Sequence, residues 1–321
     1  MSKRLQWTWK VVALAAALLV AGGSTAQAQK VLRWKFTPGQ TVRYVMNQEQ
    51  SQKIKAGTTP ITMTMTMTMN MTQKIESVDA RGVASVTQTI DRIQMKMTSP
   101  QGIGMDYDSA SGKPPEGLAK LMAPMFDAMV KKPFTMKMDP QGKVSDMKLP
   151  QGFVESVNKI SGNPMGGLFT EEGLKQMTGA QGVAVLPEKR VSVGDTWTQQ
   201  AGMDMPMMGN IAVKYTYKYE GTEKRGGQEL EKIDHTLKMD ISPQKDKPQP
   251  FEIKMTDQKM QGTTYFDNEA GRLVETKTGG TMKMTISVGG QQIEQEIDMS
   301  HTLRLAPSDT SPKAAPGPEK P

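Results

Sequence analysis

Ile61-Thr62-Met63-Thr64-Met65-Thr66-Met67-Thr68-Met69-Asn70-Met71 alternates an apolar with a polar side chain without a break. Successive side chains of a β-strand point to opposite faces, so this segment as a strand is thioether on one side and mostly hydroxyl on the other. Wound as a helix it would spread both kinds around its circumference. The same two-residue period runs through Val42, Tyr44 and Met46, through Ile211, Val213, Tyr215, Tyr217 and Tyr219, and through Met282, Met284, Ile286 and Val288. Half-buried antiparallel strands follow. Turn residues separate them: Asp79-Ala80-Arg81-Gly82, Gly226-Gly227 and Gly289-Gly290 are suited to tight hairpins. Parity slips within 83–98, since Val86 and Ile90 are even while Ile93, Met95 and Met97 are odd. A β-bulge near Asp91 and Arg92 accounts for the slip. Extended from Ile61 to Val78, one strand would reach about 60 Å at roughly 3.3 Å per residue. Strands of that length, apolar on one side, are best accommodated in a strongly twisted sheet. The expected fold is mainly β: a long curled antiparallel sheet, open-barrel-like, with a few helices in the middle of the chain.

The helical pattern is confined to that middle. Leu118, Leu121, Met122, Met125, Phe126 and Met129 share one face of a helix expected over 116–131, with Pro124 inside it. Phe153, Val154, Val157 and Ile160 suggest a second, shorter helix, and Thr170 with Glu171 and Glu172 suits the start of a third.

The N-terminus has another logic. Lys3, Arg4 and Lys10 precede an apolar run from Val11 to about Val20, and Ala26-Gln27-Ala28 fits the small-residue cleavage rule. A membrane span needs about 20 apolar residues, so 1–28 reads as a cleavable export signal, not an anchor. N-terminal sequencing of the mature protein is expected to begin at or near Gln29; a retained Met1 in the envelope fraction would contradict export by this route. The expected location is secreted or periplasmic. The chain has no cysteine, which removes disulfides, thiolate metal sites and cysteine nucleophiles. Beyond the signal, 37 basic residues stand against 33 acidic ones, a net charge of +4. The lysines are scattered and aromatics few, so no nucleic-acid partner is expected. Nor does the mature chain read as an integral membrane protein. Residues 306–321, rich in Pro, Ser, Ala and Lys, read as a disordered tail.

Two motifs recur in the same order. Phe36-Thr37-Pro38-Gly39-Gln40-Thr41-Val42 echoes Val191-Ser192-Val193-Gly194-Asp195-Thr196-Trp197, and the strand-turn-strand run Phe134 to Val144 echoes Thr264 to Leu273. Order as well as composition points to two related halves. The expected organisation is a signal at 1–28, an N-terminal β half at 29–150, a helical connector at 151–185, a C-terminal β half at 186–305 and the tail. Leu32 to Gln40, Tyr107-Asp108-Ser109 ahead of the helix, and Leu186-Pro187 leading into Val193-Gly194-Asp195-Thr196-Trp197 resemble a family of exported bacterial proteins, common in planctomycetes and known only as a domain of unknown function. That resemblance implies export and a β-rich fold, and brings no catalytic residue or ligand. A looser architectural likeness is to periplasmic carriers of lipids and lipoproteins.

No nucleophile elbow, phosphate loop or zinc-binding helix is present. Asp106, Asp108 and Gly112 are only part of a calcium loop, lacking its remaining ligands. No cofactor and no enzymatic activity are expected. Methionine is the anomaly, at 28 residues. Its flexible thioether serves as a strand-face apolar residue and adapts to varied partners. The expected role is an apolar or lipidic small-molecule carrier, its lining drawn from Met65, Met67, Leu237, Met284 and Ile286, with Leu121, Met125 and Phe126 of the helix closing one end. A structural or protein-interaction role in the envelope is the alternative. A third reading is copper handling by Met203, Met205, Met207 and Met208, since thioethers select Cu(I). His235 and His301 sit in matching contexts, His-Thr-Leu-basic-apolar, and each falls on the apolar parity of its strand. Structural imidazoles or polar contacts within a cavity both fit that placement.

Overall fold

The computed structural model describes residues 29–307, apart from 58, 101, 103, 151, 159–184, 206–208 and 244–250, together with the side chains at 154, 157 and 203–205. The expected signal, the expected third helix, the tail beyond 307 and the side chains of Met203, Met205, Met207 and Met208 lie outside the described residues. The strands are β1 (Thr41–Ala56), β2 (Pro60–Val78), β3 (Ala84–Thr98), β4 (Met105–Asp108), β5 (Pro133–Met138), β6 (Val144–Lys148), β7 (Thr196–Met205), β8 (Gly209–Arg225), β9 (Gln228–Ser242), β10 (Phe251–Asp267), β11 (Arg272–Val288) and β12 (Gln291–Leu305). Two helices are described, α1 (Leu118–Met129) and α2 (Phe153–Asn158). All twelve strands form one antiparallel sheet, ordered β6-β5-β3-β2-β1-β12-β11-β10-β9-β8-β7, with β4 also paired to β3. The sheet does not close on itself. The expected curled, open, mainly β architecture is what forms.

The hairpins fall where turn chemistry places them. Gly226-Gly227 joins β8 to β9 and Gly289-Gly290 joins β11 to β12, all four glycines at positive φ. The bulge sits at Asp91: Asn70 pairs with Arg92 and Met71 with Ile90. Asp91 is thereby left unpaired in the ladder, and parity changes across it.

Curling is visible in the core. A single cluster joins Val86 of β3 and Met136 of β5, near one end of the strand order, to Tyr217 and Tyr219 of β8, near the other. Strands so far apart in order share a core only if the sheet wraps round. Leu32, Trp34 and Leu186 fill the middle of that cluster. Residues 30–36 act as a strap across this closed end, the base. Lys30 bridges Val191, Trp34 N–H donates to Pro140 O at 2.8 Å, and Lys35 N–H donates to Gly271 O at 3.0 Å. Lys30 Nζ also donates to the buried Glu231 carboxylate at 2.8 Å, and Tyr219 OH donates to its other oxygen at 2.5 Å. A buried carboxylate so paired is tolerated; unpaired it would be costly.

The two sequence echoes occupy corresponding places. Gly39 N–H donates to Ile75 O at 2.7 Å, and Gly194 N–H donates to Tyr219 O at 2.8 Å. Ile75 N–H returns to Gln40 O, as Tyr219 N–H does to Asp195 O. A register shift follows Ile75 and another follows Tyr219. Lys74 pairs with Glu76 at 2.9 Å, and Lys218 with Glu220 at 2.7 Å. In the other echo, Asp139 Oδ1 accepts from Gln141 and Lys143 N–H, and Asp267 Oδ1 accepts from Ala270 N–H.

Candidate functional site

The pairing registers place one continuous row of residues across the concave face: Trp197, Tyr217, His235, Gly262, Thr278, His301, Gln48, Met67, Met95 and Tyr107. Below the row lies the filled base. Above it, toward the Gly289-Gly290 hairpin, the inner side chains of β1, β2 and β12 are half-buried, or exposed at Ala56 and Gln291, and none is fully buried. Along β1, β2 and β12 the far half of the curled sheet is thus a trough only partly covered by its own side chains, whereas Ile211 and Val213 of β8, Met260 of β10 and Met282 of β11 are buried.

Helix α1 occupies one flank. Met125 and Phe126 are buried against Ile90, Ile93, Met105 and Tyr107 on the inner face of β3 and β4. The rings of Phe126 and Tyr107 lie 4.8 Å apart, and Tyr107 OH donates to Asp127 Oδ1 at 2.8 Å. Phe153 of α2 seals the same cluster. Leu121, expected to help close one end, is 52% exposed and stands outside the buried cluster that Met125 and Phe126 join. On the convex face beside this cluster, the Arg92 guanidinium, 2.5 Å from Asp108, holds that carboxyl down at about 2.

The other candidate residues fall in three places. Met65 and Met67 lie on β2, facing Gln50 and Gln48 of β1. Met284 and Ile286 lie on β11, facing Gln295 and Ile293 of β12. The two pairs share the concave face but stand three strands apart, about 14 Å at the usual spacing. Leu237 lies further round on β9, against Ile211 and Val213. The sequence reading missed what stands between them, Gln48, Gln50 and Gln52 of β1. Their parity is that of Tyr44 and Met46, and β1 runs without a register shift. Parity would have found them had polar side chains been followed as well as apolar ones.

This geometry makes the two faces of β2 unequal. Met67→Lys is expected to cost about 1 kcal/mol or more by placing an ammonium on the thioether face. The exposed Thr66→Lys should stay within about 0.5 kcal/mol. Equal effects in urea unfolding would mean that the thioether face is not the covered one.

His235 is 6% exposed, and its ring crosses β10 above Gly262, where a Cβ would lie 2.4 Å from Nε2. That gap lets Nε2 reach Thr278 Oγ1 at 2.8 Å on β11. Nδ1 is buried with no hydrogen-bond partner among the described residues. Burial pushes the imidazole down to about 4, and lowers His301 in the same direction. Both are therefore neutral at pH 7. An unfolded histidine takes up its proton near pH 6.5, so between pH 6.5 and 4 the unfolded state binds more protons and stability falls as pH falls. His235 alone should account for about 2 kcal/mol lost between pH 8 and pH 5. Denaturant unfolding at the two pH values, on wild type and His235→Gln, measures this; an unchanged slope in the variant would remove His235 as its source.

The molecule is a twelve-stranded, curled, open antiparallel sheet with a strapped base and a partly covered trough. Residues 81–301 match the profile of DUF6263, described as a family of unknown function, and the chain belongs to that family. The family resemblance read from the sequence therefore holds, although the match carries no planctomycete origin. No curated protein matches. Among solved structures, lipovitellin is similar at 10% identity and a TM-score of 0.43, over 85% of this chain and 26% of that one. This chain thus spans about a quarter of the lipovitellin chain. A Bacteroides fragilis protein with a YmcC-like fold is similar at 9% identity and a TM-score of 0.23, over 85% of this chain and all of that one. A DUF1329 family protein from Desulfovibrio piger is similar at 11% identity and a TM-score of 0.15, over 82% and 86% of the two chains. Among the described residues, no helix is long and apolar enough to cross a membrane, and no three His, Asp or Glu side chains group as metal ligands.

Proposed function

We propose that this chain is exported and works as a non-catalytic binding protein, holding an apolar or lipidic molecule in the trough above the base. The observation that carries the reading is the contrast along single strands. Tyr44 and Ile75 at the base are buried, while Gln48, Met63, Met65 and Met67 on the same faces of β1 and β2 are only half-covered. A protein that needed only a core would fill that volume, because interiors pack to crystal-like density. A ligand burying a few hundred Å² there would gain several kcal/mol at about 25 cal/mol per Å², before ordering costs. The Ala26-Gln27-Ala28 signal supports export, and the matched turns, bulges and ion pairs of the two halves support a duplicated unit as the origin of so long a sheet.

The test is saturable binding of an environment-sensitive apolar dye to the native mature protein, with displacement by lipid extract. Native mass spectrometry of protein taken from its own host's envelope would identify what co-purifies. Absence of saturable binding and of any co-purifying lipid would favour a structural component of the envelope instead.

A further inference from the structure

The trough has a chemical signature beyond being apolar: its far half carries no charge. At the inner positions of β1, β2, β10, β11 and β12 above the row through His301, every polar side chain is uncharged, and most are glutamines. The charges of the same strands take the opposite parity. On the convex face Lys53 pairs with Glu296 at 3.6 Å, Lys55 with Glu294 at 3.5 Å, and Lys283 with Glu296 at 3.2 Å.

Within that uncharged surface Gln48, Gln50 and Gln52 make a stripe about 13 Å long at the two-residue repeat. Each has an apolar methionine opposite it on β2: Met67, Met65 and Met63. On β12 their neighbours are His301, Met299 and Ile297. All three glutamines are half-buried, and none makes a side-chain hydrogen bond to another described residue. The contrast is with Gln73, whose amide donates to Gln88 at 2.9 Å, and Gln258, whose amide clasps the backbone of Met239. Their amide atoms stay open to solvent, unlike the buried Trp34 Nε1 and His235 Nδ1, so they can exchange water for a ligand's polar groups. Three in register, all unpartnered, constitute a ladder of donors and acceptors offered to something else.

Resting on the binding role proposed above, we propose that the trough's occupant is an uncharged acyl amphiphile, its chain against the methionines of β2 and its ester, amide or hydroxyl groups bonded to the glutamine stripe of β1. A carboxylate or phosphate placed at the same depth would give up its hydration with no cation to meet it. The site therefore selects against charge as well as for apolar surface.

The experiment is displacement of a bound apolar dye from the full mature protein by one acyl chain offered in three forms: the free fatty acid, the monoacylglycerol and the parent alkane, at pH 7.5. The monoacylglycerol should displace about tenfold more tightly than either other form, the gain of one or two neutral hydrogen bonds. In the triple variant Gln48→Leu, Gln50→Leu, Gln52→Leu, dye and alkane should still bind while the preference for monoacylglycerol over alkane disappears. The single Gln50→Met variant, which keeps side-chain length, should lose part of that preference, and circular dichroism checks that both variants fold. Equal displacement by fatty acid and monoacylglycerol in wild type, or a preference intact in the triple variant, overturns the proposal and leaves the broader binding role standing. A wild-type protein that binds neither dye nor any of the three removes both.

Discussion

Gly280→Ala is expected to cost about 4 kcal/mol or more, combining overpacking with backbone strain, and to leave little folded protein at ambient temperature. Gly280 lies on β11 between Met260 of β10 and Met299 of β12, at φ 150°. A Cβ built there would sit 1.8 Å from Lys259 O and 2.8 Å from the carbon of the same carbonyl. The obstacle is the backbone of a neighbouring strand in mid-ladder, so no rotamer change relieves it. Relief requires moving β10 away from β11, which breaks ladder hydrogen bonds in the centre of the sheet. Gly289→Ala is the control. It has positive φ as well, but a Cβ there meets nothing within 4 Å, so only the conformational cost of about 1 to 2 kcal/mol remains. Urea unfolding of the two variants measures the difference, and near-equal midpoints would show that β10 and β11 are not in contact at this position.

Trp34→Ala should lose about 4 kcal/mol, the usual cost of truncating a buried aromatic. Trp34 is 7% exposed and meets Phe266, itself fully buried, edge-on at 5.4 Å, with Phe36 stacked at 6.2 Å. Its loss opens the middle of the base cluster and removes the side chain that fixes the strap over the sheet end. Trp34→Phe isolates the packing from the indole N–H. Nε1 is buried with no partner among the described residues, so the smaller ring relieves an unpaired donor while shrinking the contact. A cost below about 1.5 kcal/mol is expected. Limited proteolysis supplies a second readout: cleavage near residues 30–36 should accelerate in the alanine variant and not in the phenylalanine one. Matching stability and cleavage in the two variants would mean the strap is held by its backbone bonds alone.

Strand identity, the hairpin turns and the Asp91 bulge were all legible from local pattern. Each is a short-range consequence of side-chain alternation and turn chemistry, which neighbouring residues carry in full. The placement of Met65, Met67, Met284 and Ile286 on one face followed from the same rule. Leu121 did not. A helical face of six apolar residues is wider than the contact it makes, and which side meets β3 and β4 depends on the Tyr107–Phe126 and Tyr107–Asp127 contacts, formed across sequence separations that periodicity does not see.

Alternation within one strand needs no partner, so the sequence alone gives β2, β11 and β12 an apolar and a polar face. That β1 lies between β2 and β12 is a matter of long-range register, set by pairing between the two ends of the chain. That choice sets Gln48, Gln50 and Gln52 between two apolar walls and turns three ordinary-looking polar residues into the floor of the trough. Curling added the rest. A twisted sheet brings β5 and β8 into one core at the base and leaves the far ends of β1, β2 and β12 half-covered, a difference in packing that no local pattern encodes.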